Sequence, residues 1–295
     1  MARATFYILD VFAEKRYAGN QLAVFRHVEG IDDAEMQQIA RETNFSETTF
    51  IISEQPENGS FRVRIFTPRE EVPFAGHPTL GTAFVIQQEI IRQPIERLVL
   101  DLKIGEIPVT FNYVDGRPDL LWMRQQPPTF GQTLESDNVA KTVGLSVEDI
   151  DSRFPIQEVS TGLPAIIVPL RNLRTLQRAV IDRRLYFDLV ANTEAKAILI
   201  FCPQSHEGKD QISVRFFADF YGVAEDPATG SANGCLAGYL AKYRYFGRDS
   251  ISVRAEQGYE IGRPSLLYLE ATAHDQTVDV SVGGKVVMSA MGEWL

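Results

Sequence analysis

The stretch Glu225-Asp226-Pro227-Ala228-Thr229-Gly230-Ser231, running on to Ala237-Gly238-Tyr239-Leu240, decides how the chain is read. Asp226 is a good N-cap, and Pro227 suits the first helical position, where its missing N–H costs nothing. A helix is therefore predicted from here, although it carries glycine at 230, 234 and 238. Each of these costs a helix about 0.8–1 kcal/mol against alanine, so the three need a reason. Spaced by four, they form one bare stripe on which another backbone or a ligand can lie close. The first-turn N–H groups, beside Asp226 and Ser231, would face whatever sits at the helix mouth. That mouth is the first active-site candidate.

An internal echo supports it. Arg64-Ile65-Phe66 leads, through Pro73-Phe74-Ala75-Gly76, to His77-Pro78-Thr79-Leu80-Gly81-Thr82-Ala83, as Arg215-Phe216-Phe217 leads to Asp226-Pro227-Ala228-Thr229-Gly230-Ser231-Ala232. Gly81 matches Gly230, Thr82 matches Ser231, and His77 stands where Asp226 stands. We read two related halves, each delivering one helix mouth to a shared cleft. The competing reading is two unrelated helices that happen to start at proline.

The length of 295 residues allows one large domain or two ordinary ones. Hydrophobic content of 44% with 23% charged residues describes a globular chain with a real core. A net charge of −10 argues against nucleic acid and anionic membrane as partners. An anionic substrate must then be held by local groups. Cys202 and Cys235 are too few for a disulfide framework and read as buried small hydrophobes. Met1-Ala2-Arg3-Ala4-Thr5 runs straight into a strand pattern, without the charged and apolar regions of a signal peptide. No apolar run approaches the ~18 residues of a membrane span. A reducing, cytoplasmic setting is expected.

Strands are predicted at 5–12, 21–25, 48–52, 61–66, 97–102, 107–114 and 119–124, with a helix capped at Asp32 or Asp33 whose inner face is Met36, Ile39 and Ala40. The His77-led helix is apolar nearly all round and should be buried. Gln125–Gly131 reads as the linker. Beyond it come a helix near 134–144, a capped turn at 146–150, and strands at 165–169, 196–201, 211–218, 251–255, 265–272 and 277–282. Strands outnumber helices, and meander-like pairs follow each central helix. This favours an α+β fold of two similar, mainly antiparallel barrel-like domains, each wrapped around a central helix. The domains are placed at 1–125, carrying Glu47 and His77, and at 130–284, carrying Asp226. The final strand, 285–295, is assigned back to the first.

Glu47 is the candidate proton carrier. It enters an apolar strand beside Phe45, Phe50 and Ile51, where a carboxyl is disfavoured as an anion and gains basicity suited to giving and taking protons. A solvated glutamate at a strand edge is the plainer alternative. His77 and Asp226, if their mouths converge beside Glu47, could hold substrate and pass protons on; either could instead be only a cap. Ser231 and the N–H groups near Gly76 and Gly230 make a cradle for a substrate carboxylate. No lysine follows Gly230-Ser231 and no GxGxxG occurs, so a nucleotide site is not indicated. His27, His206 and His274 are scattered, without metal-binding spacing. Ser231 lacks a nucleophile elbow. Arg69-Glu70-Glu71 and Glu293 read as solvated surface.

Three blocks together resemble the PhzF phenazine-biosynthesis family: Asn44-Phe45-Ser46-Glu47-Thr48; Phe66-Thr67-Pro68 with Pro73-Phe74-Ala75-Gly76-His77-Pro78-Thr79-Leu80-Gly81; and Glu225-Asp226-Pro227-Ala228-Thr229-Gly230-Ser231-Ala232. Gly19-Asn20-Gln21-Leu22-Ala23-Val24 is also similar, with Gln21 where proline is usual. The resemblance covers essentially the whole chain. It implies the diaminopimelate-epimerase-like fold and a cofactor-independent isomerase, typically homodimeric, that moves a proton between carbons of a small, cyclic, unsaturated carboxylic acid. It assigns acid/base work to Glu47. It matches His77, Asp226 and Ser231 to substrate binding and orientation, with Asn20, Ser46, Gly76 and Gly230 in the pocket. Epimerases on this fold carry one cysteine at each helix mouth. Here Gly76-His77 and Asp226 stand there, which disfavours two-thiol epimerisation. The rival expectations are a non-catalytic binding protein of the same fold and an amino- or hydroxy-acid epimerase.

Overall fold

The computed structural model describes residues 4–275 and 277–295, so the Met1-Ala2-Arg3 part of the reading above lies outside the described residues. The chain divides into two compact units, Met1–Arg124 with Gly283–Leu295, and Gln125–Val282.

The first unit contains β1 (Ala4–Val11), β2 (Asn20–Arg26), α1 (Asp33–Thr43), β3 (Glu47–Ile51), β4 (Phe61–Phe66), the short β5 (Glu71–Val72), α2 (Gly76–Val85), β6 (Arg97–Leu102), β7 (Gly105–Val114) and β8 (Arg117–Arg124). Asp32 caps α1 by accepting from the Glu35 N–H, Asn44 ends it in the left-handed region, and Met36, Ile39 and Ala40 are its buried face. β2 and β3 are parallel, as the α1 crossover between them requires, and β4 and β6 are also parallel. The pairs β1–β2, β3–β4, β6–β7 and β7–β8 are antiparallel. α2 touches β1, β2, β3, β6, β7 and β8, and nearly every residue on it is buried. A helix without a polar face can sit only inside a sheet that curls around it. α2 then widens into a π-helical segment, Ile86–Ile91, which the sequence reading does not anticipate.

The second unit repeats this order. It has β9 (Thr129–Leu134), α3 (Ser136–Thr142), β10 (Ile156–Ser160), β11 (Pro164–Pro169), α4 (Leu173–Arg178), α5 (Arg183–Ala191), β12 (Ile198–Cys202), β13 (Ile212–Phe217), α6 (Gly230–Lys242), β14 (Ser250–Gln257), β15 (Ser265–Ala273) and β16 (Val278–Gly284). Again the crossover pair β11–β12 and the pair β13–β14 are parallel, while β9–β10, β10–β11, β12–β13 and β14–β15 are antiparallel. α6 packs on β10, β11, β14 and β15. The last strand, β17 (Val286–Trp294), pairs antiparallel with β1, the position that β9 takes beside β10. The fold is therefore α+β, mainly antiparallel, with a central helix in each half.

Three local readings are corrected. Part of the expected linker, Thr129–Gly131, already belongs to β9, so the following helix starts at Ser136. Asp226 is not the N-cap of the glycine-striped helix, which begins at Gly230 with Thr229 before it. Glu71 is not simply solvated: both its carboxylate oxygens accept from the Arg64 guanidinium at 2.9 and 3.1 Å. Among the described residues no helix is long and apolar enough to cross a membrane.

Candidate active site

In the first unit three chain segments meet. β3 opens on Glu47, which stands opposite Leu22 in the parallel pairing with β2. The start of β2, Asn20-Gln21, therefore lies beside Ser46-Glu47. The mouth of α2 completes the group, with Gly76 and His77 as its first two residues and both buried. His77 Nε2 faces Glu47 Oε2 at 3.4 Å, with side-chain exposures of 6% and 20%. The ring also hydrogen-bonds the backbone of Gln21. Glu47, His77 and Asn20 are thus brought together, with Ser46 and Gly76 as their chain neighbours.

Burial holds the His77 pKa down to about 3, against a smaller upward effect of the Gln21 hydrogen bond. Removing an imidazolium from water without a compensating partner costs more than the neutral ring can lose. The ring is therefore neutral at ordinary pH. With one nitrogen donating to the Gln21 backbone, Nε2 keeps its lone pair and accepts on the Glu47 side. At 3.4 Å this contact is longer than a normal hydrogen bond, and such distances commonly tighten when substrate is bound.

In the second unit Asp226, Gly230 and Ser231 lie along the approach to α6. Asp226 is buried, at 8% exposure. Its N–H donates to the Phe216 carbonyl at 3.0 Å, and its Oδ2 accepts the Thr229 hydroxyl proton. Gly230 is buried, and Ser231 is half-buried at the second position of the helix. The echo found in the sequence is real at the level of strands but offset at the mouths. His77 lies inside its helix, whereas Asp226 lies four residues ahead of its own. The reason is side-chain chemistry: a distant glutamine, Gln257, donates to the Asp226 carbonyl and accepts from the Thr229 N–H, and the Thr229 hydroxyl donates to the Asp226 carboxylate, leaving no need for a helical turn there.

The glycine stripe has a packing reason. A Cβ on Gly234 would stand 3.0 Å from Gln125 Cγ, and one on Gly238 would stand 2.8 Å from Pro128 Cγ. The segment leading into β9 lies along the bare face. Neither cysteine is at a mouth in reactive form: Cys202 and Cys235 are fully buried, and burial pushes each thiol up to about 11.

The family described as "Phenazine biosynthesis-like protein" matches residues 9–292. The chain belongs to this family. It is 35% identical to the trans-2,3-dihydro-3-hydroxyanthranilate isomerase of Pseudomonas aeruginosa, over 97% of this chain and 98% of that one. A PhzF-family phenazine biosynthesis protein from Bacillus anthracis has a similar structure, with a TM-score of 0.89, 28% identity and full coverage of both chains. A hydroxyproline epimerase from Agrobacterium vitis shares the fold, at a TM-score of 0.65 and 11% identity over 99% of this chain and 92% of that one. Like its family relatives, the chain is an isomerase.

The residues that sequence reasoning missed are those supporting the candidates. Gln21 stands out in the sequence only as a departure from proline, yet its backbone holds His77. Thr229 and Gln257, which hold the Asp226 segment, carry no local signal, because Gln257 is 31 residues further on.

Proposed function

We propose that Glu47 carries a proton between two carbons of a small, cyclic, unsaturated carboxylic acid of the dihydro-hydroxyanthranilate class. One observation carries this reading: Glu47 Oε2 stands 3.4 Å from Nε2 of a buried, neutral histidine. The Nε2 lone pair faces the Glu47 carboxyl and can accept from it whenever that carboxyl carries a proton. Such a carboxyl is a loaded acid: it protonates one carbon and, as carboxylate, accepts the proton released from another. Atoms and charge balance within the substrate and no redox partner is needed. His77 orients the carboxyl, Asn20, Ser46 and Gly76 bind substrate beside it, and in the second unit Asp226, Gly230 and Ser231 are assigned to substrate binding and orientation.

The reading includes no cofactor, a cytoplasmic setting and a homodimer; sedimentation analysis tests the last. A two-thiol epimerase finds no support, because both thiols are buried and held protonated. The test is incubation of trans-2,3-dihydro-3-hydroxyanthranilate with the enzyme in heavy water. We expect isomerisation with deuterium entering at carbon. Glu47→Gln should lower turnover by about 10²–10⁴-fold, the usual share of a positioned acid/base, with thermal stability little changed. Full turnover in that variant removes Glu47 from the mechanism. Saturable binding by the wild type without isomerisation or exchange points instead to a binding protein.

A further inference from the structure

We infer that Gln257 and Thr229 are positioning residues for the isomerisation, acting through Asp226. The inference rests on the reading that Asp226 holds substrate, and goes beyond it by naming what holds Asp226.

Gln257 is the last residue of β14 and is 1% exposed. Its amide is saturated. Nε2 donates to the Asp226 carbonyl at 2.8 Å and to Thr229 Oγ1 at 3.2 Å. Oε1 accepts from the Thr229 N–H at 3.3 Å and from Asn233 Nδ2 at 2.8 Å. The reversed amide would set oxygen against the Asp226 carbonyl and NH₂ against the Thr229 N–H, so the network itself fixes the orientation. One consequence reaches the carboxylate. Because Thr229 Oγ1 accepts a hydrogen bond from Gln257 Nε2, its own hydrogen is left to donate to Asp226 Oδ2. The amide thereby sets a hydroxyl rotor, and the rotor sets an oxygen of the carboxylate.

The support under Gln257 is rigid. Gly258 follows in the left-handed region at φ +78°, and a Cβ there would stand 2.4 Å from the Arg263 carbonyl and 2.6 Å from the Pro227 carbonyl. Only glycine lets the two backbones approach this closely. On the other side Glu256, 1% exposed, accepts from the His206 N–H at 2.5 Å, and its Oε2 lies 2.9 Å from His206 Nδ1. Gln257 is thus held from both sides and cannot follow Asp226 if the latter moves. A saturated, buried amide on a fixed strand end is a means of holding a binding group to within a few tenths of an ångström, which orientation-dependent catalysis needs.

The test compares Thr229→Val, which keeps shape and loses the hydroxyl, with Thr229→Ser, which keeps the hydroxyl and loses shape. Asp226→Asn, Gln257→Met and the wild type are assayed alongside on trans-2,3-dihydro-3-hydroxyanthranilate. We expect Thr229→Val to lose about 10- to 100-fold in kcat, the scale of losing a hydrogen bond to a charged group, with the melting temperature nearly unchanged. Thr229→Ser should restore kcat to within a few-fold of wild type. A merely structural role predicts the opposite order, with serine worse than valine, and that order overturns the inference. If Asp226→Asn is impaired while Thr229→Val and a folded Gln257→Met turn over normally, the inference fails and the proposed function stands. If the wild type is inactive on this substrate, or Asp226→Asn is fully active, the proposed function fails first and the positioning role falls with it.

Discussion

In the first unit Arg64 forks onto Glu71 and lies over Phe66; in the second Arg215 forks onto Glu225 and lies over Phe217. The distances from guanidinium carbon to ring centre are 5.0 and 4.9 Å. These are the arginines that the sequence echo aligned, and they fix a common register for the two halves. Arg64 pairs across the strands with Phe50 and Arg215 with Ile200; Phe66 pairs with Thr48 and Phe217 with Ile198. One residue earlier, the first half has Glu47 and the second has Ala197. One copy of the fold therefore carries a carboxyl where the other carries a buried methyl group. The halves share a frame, and the proposed acid/base group is found in one of them. That asymmetry suits a proton leaving and returning through a single group, and is the opposite of a symmetric pair of bases.

The frame also differs in what each arginine does with its remaining nitrogen. Arg64 Nη1 reaches Asp33 in the first turn of α1 at 2.5 Å, at the surface. Arg215 Nη1 donates to the Leu176 and Ala179 carbonyls at 3.1 and 2.8 Å, at the C-terminal end of α4, where a cation suits the helix dipole. Arg215 and Glu225 side chains are 9% and 11% exposed, against 25% and 22% for Arg64 and Glu71. Removing one member of a buried pair leaves its partner charged and stranded. Arg215→Met should therefore cost about 3–5 kcal/mol. Arg64→Met, whose partners can turn to water, should cost about 1 kcal/mol. Urea unfolding of the two variants checks this, and equal losses would mean that the two frames are held alike.

The first mouth carries a titrating group whose burial changes stability with pH. His77 has its pKa lowered from 6.5 to about 3 by burial. Between those values the unfolded chain binds a proton at this position and the folded chain does not. This contribution is complete above about pH 6.5 and is lost as pH falls towards 3, with a slope of about 1.4 kcal/mol per pH unit. His77→Asn removes the titrating group and should flatten the acid side of the stability curve by that slope, as read from urea midpoints between pH 6.5 and pH 4. An unchanged slope would mean that the imidazole is already charged in the native state.

Much of this frame is legible in the sequence because its signals are local. The cap, inner face and left-handed end of α1 sit within a dozen residues, and both crossovers follow from strand–helix–strand order. The proline-and-glycine echo also pointed to both helices. What escaped reading depends on partners far along the chain. Asp226 looks like an N-cap until Gln257 appears beside it. β9 is mostly exposed and has no alternating pattern, so only its pairing with β10 makes it a strand. Glu71 reads as solvated unless Arg64, one strand back, is seen to claim it. The association of Glu47 with His77 followed from the family resemblance and from apolar neighbours. The neutrality of the ring followed only from its burial.

The glycines give the finest comparison, since each central helix carries them for a different neighbour. A Cβ on Gly81 of α2 would stand 2.4 Å from Leu22 Cδ2 and 3.0 Å from Val11 Cγ2, both on side chains with no solvent exposure. On Gly234 of α6 the nearest atom is Gln125 Cγ at 3.0 Å, part of an unbranched chain that can give by a few tenths of an ångström. Alanine gains about 0.8–1 kcal/mol of helix propensity at either site, while overpacking a sealed core costs about 1–3 kcal/mol. Gly81→Ala should therefore be a net loss of about 1–2 kcal/mol, and Gly234→Ala should lie near zero, measured as shifts in urea midpoint at constant slope. If Gly234→Ala costs as much as Gly81→Ala, the Gln125 segment is pinned as firmly as the core around α2, and the second helix is as closely fitted as the first.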